Sequence, residues 1–232
     1  MKNYLALLLL LFIVSCSPDN RFKINGTFKG NIEDQWIYLS KFMADVPNPD
    51  SVFLQKGKFQ FSGLCGYPES YVIQNHRDSA LAWFHFYLEP GKINIDLDPR
   101  DWAYGSNIQG GPINEEYNTN IRAPRNKFIE FRDETLEVIA VADSSQKIEL
   151  KDAILEAGNA NKMNQIEYVR NNPDSPISPY LLGMNFFVLP IDEAEILLGS
   201  FSVENKQTAV CISFQEKLDM LKQFSNGSLE TE

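Results

Sequence analysis

The 232-residue chain sets 31 acidic side chains against 21 basic ones, for a formal net charge of −10. Nucleic acid is thereby excluded as a partner, since binding it depends on Lys and Arg neutralising phosphates and no basic cluster escapes the average. With 44% apolar residues the chain can bury a core and is not disordered.

In chain order, Lys2 is a positive flank and Tyr4 to Val14 form an uncharged apolar run of eleven residues. A membrane-crossing helix needs about 20 such residues, so this length fits the core of an export signal over residues 1–15 instead. The run closes on Ile13, Val14, Ser15 and Cys16, which looks like a lipobox: branched residues, a small residue at the cut, then the thiol that accepts a diacylglyceryl group. An ordinary secretory signal with an incidental cysteine is the alternative. Lipidation of Cys16 would tether the remaining chain to a membrane, each buried methylene adding about 0.8 kcal/mol. By resemblance to Gram-negative lipoproteins, Ser17 in place of Asp at the following position implies that the chain is not retained at the inner membrane. The expected location is the cell envelope, at the outer membrane, on its periplasmic or surface face.

Residues 16–21 read as a polar tether. From Phe22 the pattern alternates with period two, the mark of half-buried strands: Phe22, Ile24, Gly26 and Phe28 share one face. Trp36 to Phe42 is a second strand, and two prolines make 47–50 a loop. Ser51 to Gln55 and Lys58 to Ser62 read as a hairpin turning at Lys56-Gly57, with Phe59 and Phe61 inward. Tyr71 to Ile73, Ala82 to Leu88 and Lys92 to Leu97 complete about seven strands, the last two joined through Glu89-Pro90-Gly91. Such spacing predicts an antiparallel β-sandwich or barrel-like sheet over residues 22–111.

Past Gly110-Gly111-Pro112 the period lengthens. Ile113, Tyr117, Ile121, Phe128, Phe131 and Thr135 form a helical stripe, bent or broken at Pro124. Further helices are expected over Ile148–Arg170, from a cap at Ser178 to about Leu189, over Asp192–Leu198, and over Val203–Phe224. The fold class is therefore α+β, a β-rich module over 22–111 preceding a helical module over 112–226, with 227–232 as a tail.

This layout resembles the family called domain of unknown function 4369. The residues that carry the resemblance are Phe22-Lys23-Ile24-Asn25-Gly26, Asp50-Ser51-Val52, the run Gly57 to Gly63, and Leu88-Glu89-Pro90-Gly91; Gly110–Asn114 and Asn172–Leu182 extend it. The resemblance implies an N-terminal module of lipid-anchored bacterial proteins, often placed ahead of a thioredoxin-like domain with a Cys-x-x-Cys pair. Here Gly227 is followed by Ser-Leu-Glu-Thr-Glu, so no redox domain of that kind is expected.

Cys65 and Cys211 are 146 positions apart, unlike the paired thiols of a thioredoxin site. A disulfide between them is weighed against buried free thiols, and the free thiols are preferred for Cys211 in its apolar helix. His76 and His85 show no metal-ligand spacing; His85 reads as a partly exposed strand histidine. Asp96, Asp98 and Asp101 lack the glycine and distal glutamate of a calcium loop. No nucleophile elbow, P-loop or dinucleotide fingerprint is present, and among 31 acidic residues no glycosidase pair can be named. No catalytic residue, metal or cofactor is expected. The one segment with a binding flavour holds Trp102 and Tyr104, beside Arg100 and Asp101, as a possible contact for a sugar or peptide; the alternative is that both rings plug the seam between sheet and helices. Asp50-Ser51-Val52 and Asp78-Ser79-Ala80 match a short O-glycosylation pattern.

The expected function is a non-catalytic, lipid-anchored binding protein for a protein, peptide or glycan partner. The rivals are an accessory to a separate thioredoxin-like protein, and an enzyme of a class without a sequence signature.

Overall fold

The computed structural model describes residues 20–30, 32–44, 49–75 and 83–227; Cys16, His76 and Asp78-Ser79-Ala80 lie outside them. Among the described residues eight strands come first: β1 (Arg21–Phe28), β2 (Trp36–Lys41), β3 (Asp50–Phe53), β4 (Lys58–Leu64), β5 (Glu69–Gln74), β6 (Trp83–Leu88), β7 (Gly91–Leu97) and β8 (Asn107–Gln109). They form two four-stranded sheets, ordered β4-β1-β7-β8 and β3-β2-β5-β6. All pairings are antiparallel except β1 with β7, which run parallel from Phe22↔Gly91 to Phe28↔Leu97.

The period-two pattern of β1 is realised as written: Phe22, Ile24 and Phe28 are buried while Arg21, Lys23 and Thr27 face water. These side chains meet Ile37, Leu39, Ile73, Phe84 and Phe86 of the other sheet in one core, so the two sheets pack face to face without closing into a barrel. Phe59 and Phe61 face inward as expected. Gly26 pairs with Phe59 across the β1–β4 ladder, and a Cβ there would come within 1.9 Å of the Phe59 ring. Glycine is what lets that ring lie flat over the strand.

One expected pairing is corrected. The turn at Lys56-Gly57 forms, with Gln55 and Lys58 exchanging two backbone hydrogen bonds of 3.0 Å. Beyond that single bridge the strands part: β3 joins β2 in one sheet and β4 joins β1 in the other. The fully buried Leu54 occupies this corner, where the chain crosses between layers.

The helical part comprises α1 (Pro112–Tyr117), a π-helical turn over Asn118–Arg122, α2 (Ala123–Val141), α3 (Ser144–Asn171), α4 (Ser178–Asn185), a 3-10 turn over Phe186–Val188, α5 (Ile191–Ser200), α6 (Val203–Lys206) and α7 (Ala209–Gly227). Pro124 does not break the first run. The widened turn precedes it, with the Ala123 N–H reaching back five residues to Asn118, and helicity continues. Asp143 starts α3 with a capping box: its carboxylate accepts from Ser145 and Gln146 N–H at 2.9 Å, and the Gln146 side chain accepts from Asp143 N–H. Ser178 is the first residue of α4, not its cap; its hydroxyl donates to the Asn172 carbonyl. The single helix expected from Val203 is two, parted at Gln207-Thr208.

A second apolar core joins α1, α3, α4, α5 and α7 through Tyr117, Ile166, Val169, Leu181, Leu198, Phe214 and Leu218. Strand β6 belongs to both cores. Phe84, Phe86 and Leu88 point between the sheets, while Tyr87 packs into the helical core. The β-rich and helical parts are pinned at Glu89 and Asn114. The Glu89 carboxylate accepts from Ile113 N–H (3.2 Å), Asn114 N–H (3.0 Å) and Asn114 Nδ2 (2.9 Å). Asn114 also donates to the Tyr87 carbonyl at 2.7 Å and accepts from Tyr87 N–H at 2.9 Å, standing in for a neighbouring strand. Gly111 makes room for this: its φ is 87°, and a Cβ would lie 2.1 Å from Glu89 Oε1.

Candidate functional site

The outer face of β6 is covered by helices where an ordinary antiparallel sheet would face water. Between that face, the 101–105 segment, the α1–α2 run, α3 and α4 lies an open cleft of about 310 Å³. This is the lower end of the size range of ligand pockets, about 300–1,000 Å³.

His85 sits at its base. The expected partial exposure is corrected, since the side chain is only 6% accessible. Its ring stacks on Tyr180 (centroids 3.9 Å apart, planes at 15°) and meets Tyr87 and Tyr117 edge-on, each at 5.3 Å. Among the described residues neither Nδ1 nor Nε2 has a hydrogen-bond partner. Burial first, then the positive charges of Arg125 and Arg122, hold its pKa well below 6.5, so the imidazole is neutral at pH 7. A neutral imidazole offers one donor and one acceptor, and a buried polar group without partners is uncommon enough to require a reason.

Three cations line the cleft. Arg122, 6% accessible, donates from Nη2 to the Ser106 carbonyl at 2.7 Å and from Nη1 to Asn118 Oδ1 at 3.4 Å, and its guanidinium lies 4.9 Å from the Phe84 ring centre. Arg125, one turn on, lies 4.9 Å over the Tyr104 ring, and its Nε has no partner among the described residues. Lys162 comes from the middle of α3. Among the described residues no carboxylate lies within 4.0 Å of these three; Asp101 acts on Arg122 only through its longer-range field. Among the described residues no acidic side chain lines the cleft, in a chain where acids outnumber bases three to two.

The structure separates the two aromatic residues singled out from the sequence. Trp102 is 6% accessible and packs edge-on against Phe28 at 5.2 Å, inside the sheet core. It is a plug, which removes it as an exposed ligand contact. Tyr104, 41% accessible, is a wall of the cleft. Sequence spacing singles out neither Arg122, Arg125 and Lys162 nor the burial of His85. The available signal was the run Trp83-Phe84-His85-Phe86-Tyr87-Leu88, whose lack of alternation marks a strand covered on both faces.

The remaining candidates lie elsewhere. Cys65 and Cys211 are free and buried, burial pushing each thiol up to about 11; Cys65 Sγ donates to the Leu88 carbonyl at 3.3 Å. Asp96 accepts from the Thr27 hydroxyl (2.9 Å) and Asp98 from Arg100 N–H (3.0 Å), so these carboxylates serve local bonds. Among the described residues no three of His, Cys, Asp and Glu gather as a metal would need, and no helix is long and apolar enough to cross a membrane.

Residues 22–117 match the family described as Domain of unknown function (DUF4369). The match runs past Gly111 through α1, the helix tied to β6 by Asn114. No curated protein and no solved structure matches the chain.

Proposed function

We propose that this chain, which carries a DUF4369 domain over residues 22–117, is a lipid-anchored cell-envelope protein that binds a ligand without transforming it, and that the cleft on β6 is where it does so. The anchor is Cys16, and the location the outer membrane. The observation that carries the binding role is His85: a neutral imidazole buried at the base of an open cleft, both nitrogens without a partner among the described residues, walled by aromatic rings. Rings beside unsatisfied polar atoms suit a peptide or glycan, which brings apolar faces and hydrogen-bonding groups together. Water occupies about 30 Å³ per molecule, so the cleft holds roughly ten waters' worth of ligand. That accommodates one amino-acid or sugar unit, such as the terminal unit of a longer chain.

Binding of the mature protein to peptide and glycan arrays, compared with Tyr104→Ala, tests the reading. Selective retention of one ligand class by the parent, lost in the variant, is expected; identical array profiles would refute the cleft as the site. Metabolic labelling with a fatty-acid analogue, absent in Cys16→Ser, tests the anchor.

A further inference from the structure

Arg122 is a buried guanidinium satisfied by a backbone carbonyl and an amide oxygen, with no carboxylate within 4.0 Å among the described residues. Such charges are ordinarily paired, because their desolvation is repaid only by an opposite charge in good geometry. Arg125 and Lys162 add two more positive charges to the same walls, and Arg125 Nε has no partner among the described residues. Acidic residues punctuate α2 and α3, yet among the described residues none lines the cleft. A positive cavity with low-dielectric aromatic walls concentrates anions.

The kind of anion follows from what the cleft lacks. Phosphate sites are commonly built from backbone N–H nests and free helix N-termini. Here the helical hydrogen bonding is continuous through the π turn into α2, so Arg122 and Arg125 do not flank a free N-terminus, and Lys162 lies mid-helix. Guanidinium forks beside aromatic rings suit a planar carboxylate attached to an apolar body.

Building on the proposed binding role, we infer that the cleft selects a carboxylate-bearing unit, such as a peptide C-terminus or an acidic sugar. Arg125 and Lys162 hold the carboxylate, Arg122 supplies fixed charge behind it, and Tyr104 takes the body of the unit. His85 lies buried under the cleft floor, where a bound unit changes the surroundings of its ring.

The test is ligand-detected NMR and calorimetry on the mature full chain, using matched probes. These are N-acetyl-tyrosine against N-acetyl-tyrosinamide, glucuronate against glucose, and methyl phosphate. The carboxylates should bind at least about tenfold more tightly than their neutral partners, a difference of about 1.4 kcal/mol. Arg125→Gln and Lys162→Met should each remove most of that preference. Lys151→Met, on the same helix outside the cleft, should leave it intact, and the exposed position of Lys162 keeps the test clear of misfolding. Neutral probes binding as well as the acids, and lost in Tyr104→Ala, would overturn the charge selection while leaving the binding role standing. Methyl phosphate binding more tightly than both acids would overturn the carboxylate assignment. No probe binding at about 10 mM, which corresponds to less than 3 kcal/mol of affinity, would overturn both.

Discussion

Replacing Asn114 by Ala removes a side chain that is fully buried and makes three hydrogen bonds at the joint between the sheets and the helices. The Tyr87 N–H and carbonyl lose their partners, while Glu89 keeps its two bonds from backbone N–H groups but loses the third. A buried polar group left unsatisfied costs about 1–3 kcal/mol, and more where it is charged. Water entering the vacated space would recover part of this, leaving an expected loss of about 3–5 kcal/mol, a large share of the roughly 5–15 kcal/mol that holds a domain together. Urea unfolding followed by far-UV circular dichroism and by tryptophan fluorescence measures it; Trp102 reports on the sheet core. Asn114→Asp sharpens the argument. It keeps an acceptor for Tyr87 N–H but sets a second carboxylate against Glu89, whose own pKa burial already raises. It should be the more damaging variant at pH 7 and should recover as pH falls toward 5. A loss under about 1 kcal/mol for Asn114→Ala, within the range of ordinary surface substitutions and their neighbours, would refute the reasoning.

Other consequences follow from the same geometry. Gly111→Ala forces a Cβ into Glu89 Oε1 at a backbone angle that disfavours side chains, and should destabilise by about 2–4 kcal/mol in the same urea assay; a neutral result would contradict the latch. Because the folded pKa of His85 lies below its unfolded value near 6.5, its neutral burial is fully compatible with folding above that pH. Below it the unfolded chain gains a proton that the folded one refuses. Wild-type stability should therefore fall relative to His85→Phe by up to about 1.4 kcal/mol per pH unit below 6.5; a difference flat between pH 7 and 5 would show that His85 protonates freely. With Cys16 replaced by Ser, a disulfide-exchange dye at pH 8 should label Cys65 and Cys211 slowly in the native protein and promptly in urea, since thiols at about 11 are about one part in a thousand thiolate. Fast native labelling of either would contradict its burial.

Legibility from the sequence followed the range of the interactions. β1 was readable because alternation is a local property, and its buried and exposed faces came out in register. The β3–β4 corner was not: the turn chemistry at Lys56-Gly57 is local, but which sheet each arm joins is decided by β1 and β2, distant in sequence. The same limit applies to β6. Its aromatic run allowed burial on both faces, but only the packing of α1 and α4 decides that His85 lies under Tyr180 rather than in water. The capping box at Asp143 and Gln146 was readable in the sequence and would have moved the start of α3 ahead of Ile148. The cleft takes Tyr104 from a segment the sequence singles out, yet its cations come from the π turn, the start of α2 and the middle of α3, with Lys162 about 40 positions beyond Arg122, a juxtaposition no spacing announces.

The binding account turns on one buried imidazole whose nitrogens have no partner among the described residues. With His76→Gln leaving His85 as the sole histidine, its two ring nitrogens can be followed by long-range ¹H–¹⁵N correlation while N-acetyl-tyrosine is added. The account predicts a neutral ring in the free protein at pH 6 and movement of both nitrogen resonances on saturation. A ring already protonated at that pH, or one whose nitrogens stay fixed while the probe binds, would contradict it.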